Sequence, residues 1–156
     1  LVRFMDIAQY TGMRLAEVAQ TSKASVIVQD GIQCLKVKDD AKTAASRSRV
    51  VPIAKTLLDR VDLFSVAAPV SSAYEGQEVG KRFGRLKSAL GFDRQHAFHS
   101  IRKTAATVFE QAGISEGITA DIVGHEKQTM TYGLYSGGTS IVQRMYNGQS
   151  VLGSSV

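Results

Sequence analysis

Strand-forming residues are confined to one short stretch of this chain, and that confinement sets the fold class. Ser25-Val-Ile-Val28 is β-branched and stops at Gln29-Asp30-Gly31, whose glycine can take the positive φ of a tight hairpin turn. Cys34-Leu-Lys-Val-Lys38 alternates apolar and polar residues as a second strand. Ser48-Arg-Val-Val-Pro-Ile53 reads as a third, with Pro52 marking its end because proline cannot donate to a ladder. Between the last two lies a polar loop, Asp39 to Arg47, without core-forming residues. The expected architecture is therefore mainly α with a small three-stranded antiparallel sheet.

Elsewhere the apolar residues recur at helical spacing. Phe4, Ile7 and Ala8 mark a helix that ends before Gly12, and Arg14 to Ala19 reads as a short one. Leu57, Leu58 and Val61 form an apolar face after Pro52. Pro69 to Gly80, rich in small and polar residues, reads as a connection, followed by Phe83, Leu86 and Leu90 at helical spacing. His99 to Ala112 predicts a long helix with Ile101, Ala105, Val108 and Phe109 inward and Gly113 as its stop. Ile118, Ile122 and Val123 suggest another, broken at Gly124, while Thr129–Tyr135 and Ile141–Tyr146 read as brief helices. The methionines, the phenylalanines and Tyr146 read as packing residues.

Composition removes several function classes. Cys34 is the one cysteine, so neither an internal disulfide nor a cysteine-rich zinc module can form. The longest uncharged apolar stretch, Leu63 to Val70, falls well short of the ~18 residues that cross a bilayer. No basic-then-apolar segment opens the sequence, and a reducing cytoplasm is the expected setting. The first residue is Leu1 rather than Met, which suggests a piece of a longer protein.

Charge is unevenly distributed. Residues 36–60 carry seven basic against three acidic side chains, and residues 81–103 carry seven against one. These windows hold +10 of a chain whose formal charge is +5, so the remainder is −5. Such segregation is expected of a face that binds nucleic acid.

Three clusters carry chemistry: Thr11-Gly-Met-Arg-Leu-Ala-Glu17, His99-Ser-Ile-Arg-Lys-Thr104, and Gly124-His125 followed by Tyr132-Gly-Leu-Tyr135-Ser-Gly-Gly138. Singly, each reads as readily as surface, core or packing. In this order they resemble the catalytic domain of the tyrosine recombinases, the phage-integrase family. The resemblance rests on an arginine box of T-G-x-R-x-x-E type, a lysine in a strand hairpin, an H-x-x-R box, a G-H box and a tyrosine beyond it. Met130-Thr-Tyr-Gly-Leu-Tyr-Ser-Gly-Gly138 is similar to the form found in integrases of prophages and genomic islands.

The resemblance implies the tyrosine recombinase catalytic-domain fold over residues 1–156, truncated at its N-terminus, with the family's N-terminal core-binding domain absent from this chain. It implies Arg14, with Glu17 as its support, Lys42 in the hairpin, His99 and Arg102, His125, and Tyr135 as nucleophile. Tyr135 is preferred to Tyr132 because seven residues after His125 is too short for the family pattern, and Lys42 to Lys38 because Lys38 belongs to the strand. The implied partner is double-stranded DNA, with a homotetramer on DNA in the full-length protein and a monomer for the isolated segment. No cofactor, metal or membrane is implied.

Elementary chemistry runs the same way. Phosphodiester cleavage builds charge on non-bridging oxygens, which guanidiniums match by a bidentate fork. A tyrosine hydroxyl, with an ordinary pKa of about 10, needs a base or cationic neighbours before it attacks. His99 is the candidate base, His125 a phosphate donor, and Lys42 the general acid for the leaving 5′ oxygen. His96, His99 and His125 lack metal-ligand spacing, and no G-x-S-x-G elbow suggests a serine hydrolase. The other functions consistent with these residues are a DNA-binding prophage relic without chemistry and a type IB topoisomerase-like relaxing enzyme.

Overall fold

A computed structural model describes residues 1–37, 48–60, 72–125 and 138–154. Its helices are α1 (Val2–Thr11), α2 (Leu15–Ala19), α3 (Lys55–Leu58), α4 (Ser72–Ala89), α5 (His99–Gln111), α6 (Glu116–Val123), α7 (Ile141–Arg144) and α8 (Ser150–Ser154). Met145–Gln149 forms a π-helical turn joining the last two. Strands β1 (Val26–Gln29), β2 (Ile32–Val37) and β3 (Arg49–Pro52) form one antiparallel sheet in that order. The mainly helical architecture with a small three-stranded antiparallel sheet is the one the sequence predicts. Asp30 (φ 52) and Gly31 (φ 75) make the hairpin turn. Pro52 sits on the outer strand, where its missing N–H costs no ladder bond.

The core gathers α1, α5 and α6 around the inner face of the sheet. Ile7, Leu35, Val51, Leu57, Phe109, Ile122 and Val123 are fully buried there. Burying a side chain of this size contributes about 1.5–3 kcal/mol each, as an upper bound against an extended unfolded chain. Phe83 of α4 meets Phe98 edge-on at 5.5 Å, which fixes the start of α5.

Three expectations change. Residues 72–80 are not a connection: α4 starts at Ser72, about three turns ahead of the predicted pattern. Gly76 and Gly80 lie in the stretch read as a connection and lower its helix propensity, yet α4 is held by tertiary packing, with Val79 buried and Gly80 set against Leu15 of α2. Leu90 and Phe92 are exposed rather than inward, because α4 ends at Ala89 and they lie beyond it. Tyr146 is 73% exposed and so packs little. Among the described residues no helix is long and apolar enough to cross a membrane.

Candidate active site

Two glycine turns build the site. Thr11 closes α1 with its hydroxyl on the Ile7 carbonyl, and Gly12 then turns left-handed at φ 64. Gly124 does the same after α6, at φ 81. Both turns bring main-chain carbonyls to the guanidinium of Arg102, which projects from the first turn of α5. Arg102 Nη1 donates to Gly12 O at 2.9 Å and also to Val123 O, while Nη2 donates to Gly124 O at 3.0 Å. Its Nε–H finds no partner among the described residues although the residue is only 2% exposed. Burial, and then the neighbouring Arg14, push its pKa down to about 10, so it stays charged at neutral pH.

Arg14 reaches the same place from the loop between α1 and α2. Its Nη2 donates to Gly124 O at 3.2 Å, so two arginines that are 88 residues apart share one carbonyl. Glu17 holds Arg14 twice: one carboxylate oxygen accepts the Arg14 backbone N–H at 2.7 Å, capping α2, and the other accepts Nη1 at 3.1 Å. The Arg14 side chain is 37% exposed and Glu17 only 5%, so the arginine faces outward over a buried carboxylate.

The two histidines flank this pair. His99 lies one helical turn before Arg102 on α5, and His125 follows the shared Gly124 carbonyl; both are exposed. Partial burial lowers the His99 pKa, helped by Arg102, Lys103 and Arg14. Burial likewise lowers that of His125, helped by Arg102, Arg14, His99 and Arg49. The neutral form is favoured in both, so each imidazole has a lone pair available at neutral pH.

The structure therefore brings Arg14, Arg102, His99 and His125 into one cationic cluster. Lys42, Lys38, Tyr132 and Tyr135 lie outside the described residues. Among the described residues no three His, Cys, Asp or Glu side chains converge as a metal cage would require. Such a cluster, with one buried N–H unspent, suits an oxyanion that accepts several charge-assisted hydrogen bonds.

A family model described as the phage integrase family matches residues 2–138. The chain belongs to the phage integrase family. Phage integrase membership carries a site-specific recombinase role in general terms, with DNA binding, recombination and integration. No curated protein and no solved structure matches the chain.

One member of this integrase's cluster escaped the sequence reading. Arg49, the first residue of β3, forks onto Glu17, with Nη1 to Oε1 at 2.8 Å and Nη2 to Oε2 at 2.9 Å. Its Nε–H donates to Ile122 O at 3.0 Å, which ties the sheet to the turn before His125. Burial pushes the Glu17 carboxyl up, but Arg49 and then Arg14 outweigh it and hold the pKa below the ordinary range. In sequence Arg49 was one basic residue among seven in a window; an arginine opening a strand with Val-Val-Pro behind it was the available signal.

Proposed function

We propose that this chain is the catalytic domain of an integrase from a prophage or related mobile element, cutting and rejoining DNA in the bacterial cytoplasm through a 3′-phosphotyrosyl intermediate. The observation that carries the reading is the convergence of Arg14 and Arg102 on the Gly124 carbonyl beside His125, with Arg102 Nε–H unspent among the described residues. In this reading the guanidiniums and His125 donate to the non-bridging oxygens of the scissile phosphate. Tyr135 Oη gives its proton to His99 and attacks phosphorus. The bond to the 5′ oxygen breaks as Lys42 protonates it. The phosphoester is retained, so a second 5′ hydroxyl reverses the chemistry without ATP, and the cationic side chains supply the positive charge without a metal. Preorganised donors of this kind each contribute about 3–4 kcal/mol to the barrier reduction. The full-length protein acts as a homotetramer on double-stranded DNA.

The test is covalent trapping on nicked duplexes drawn from DNA flanking the gene. The parent chain should form a detergent-resistant adduct. Tyr135→Phe should abolish it while duplex affinity stays within a few fold, because the hydroxyl alone is lost. Tyr132→Phe should retain it. Mass spectrometry placing DNA on Tyr132 would overturn the nucleophile assignment. Binding without any adduct would favour the non-catalytic relic.

A further inference from the structure

Arg49 makes no contact that an incoming phosphate could use, because its fork is spent on Glu17 and its Nε–H on Ile122 O. Its side chain is 9% exposed and that of Glu17 5%. The geometry of the carboxylate explains why it is there. Glu17 is the acidic side chain bonded to Arg14, and it lies against the cluster meant for an anion. Left with Arg14 as its only partner, it would draw that guanidinium into a two-point fork and cancel its charge. Arg49 occupies the fork instead, so Arg14 meets Glu17 through a single side-chain N–H at 3.1 Å and turns Nη2 to Gly124 O.

We propose that Arg49 is a positioning residue that neutralises Glu17, so that Arg14 keeps its charge and its outward donors for the scissile phosphate. The proposal rests on the anion-site reading above and deepens it. Charge counting makes it quantitative. Arg14, Arg49 and Arg102 against Glu17 leave a net +2 at the site. Removing Arg49 leaves +1, removing the Glu17 charge leaves +3, and removing both restores +2. A residue that merely props β3 against α6 gives a different order: every substitution weakens the site, and the double substitution weakens it most.

The experiment titrates inorganic phosphate into the 156-residue chain at low ionic strength, following the His99 and His125 ring signals by NMR, with thermal melting as the folding control. Arg49→Met should weaken phosphate about fivefold or more, the scale of one unit charge a few ångströms away in a partly aqueous site. Glu17→Gln should bind as tightly as the parent or tighter. The double variant Arg49→Met/Glu17→Gln should return to within about threefold of the parent, since the two effects are coupled and do not add. A folded double variant as weak as Arg49→Met would overturn the proposal, as would unchanged affinity in Arg49→Met. If Arg49→Met alone fails to melt cooperatively, the other two variants decide: parent-like or tighter binding supports the proposal, and weaker binding in either overturns it. A parent chain that binds no phosphate overturns the anion site itself, and this proposal with it. Phosphate binding with the wrong order of variants sinks only the role of Arg49.

Discussion

Among the described residues the buried Arg102 Nε–H has no hydrogen-bond partner, and a buried donor left unbonded costs about 1–3 kcal/mol. The neighbouring titratable groups make the same trade, and acid exposes it. His99 and His125 have folded-state pKa values below the ordinary 6.5, so the unfolded chain takes up protons first as pH falls. Stability should decline from about pH 6.5 downward and level off below their folded values. Glu17 is held below its ordinary 4.5, so its contribution is present above that pH and is lost as pH falls through its folded pKa. Both signs agree: acidification weakens the fold in two successive windows. Urea denaturation across pH 7.5 to 3.5 should show both declines, and Glu17→Gln should shrink the lower one only. A flat profile between pH 7 and 5 would contradict the histidine directions. At this scale the sequence named Arg14, Glu17, His99, Arg102 and His125, because boxes in order are visible in one dimension. Arg49 was not visible, since its partner lies 32 residues away and only burial turns a strand arginine into a neutralising cation.

Elements place these residues through their ends more than their middles. The α1 and α6 helices both stop at left-handed glycines, and the freed carbonyls at those stops are the ones Arg102 grips. Gly124 is the more constrained, because a Cβ there would lie 2.6 Å from Arg49 Cζ and 2.7 Å from its Nη1. Gly113, at φ 72, has nothing within 4 Å of the same position. Gly113→Ala should therefore cost only the left-handed strain, about 1–2 kcal/mol. Gly124→Ala should cost that strain and also displace the Arg49 fork, exceeding Gly113→Ala by a further 1 kcal/mol or so. Equal losses in the two variants by thermal or urea denaturation would mean that Arg49 swings aside without penalty. The helix stops were legible because glycine after an apolar helical repeat has a local cause. The start of α4 was not, because three glycines at four-residue spacing argue against a helix that only its packing on α2 sustains. The π-turn at Met145–Gln149 has no sequence signature either: Gly148 lets the backbone come so close to Ile122 that a Cβ would collide with its side chain.

Across the molecule, charge is sorted between inside and outside as well as along the chain. Of the two basic windows, Arg49 and Arg102 are committed to internal partners, so they add to the site and not to the surface. The exposed part includes Lys36, Lys55, Lys81, Arg82, Arg85, Arg94 and Lys103. Lys81, Arg82 and Arg85 belong to α4, which packs on α2 next to Arg14, so this basic helix flanks the cluster. Arg82 and Arg85 both lean on Glu78, at 3.3 and 3.5 Å, but these are exposed pairs that salt and a competing phosphate readily break. For a phage integrase family member, whose partner is DNA, a cationic helix beside the arginine cluster should hold DNA phosphates. Such contacts displace counterions, so log affinity for duplex should fall linearly with log salt, by about 0.9 in slope for each phosphate neutralised. Arg82→Ala/Arg85→Ala should lower that slope by about two and weaken binding by the same factor on unrelated duplexes, since phosphate contacts carry no sequence. Filter binding or fluorescence anisotropy over a salt series would measure both. An unchanged slope would place these arginines off the DNA, and a loss confined to one duplex would mean that they read bases.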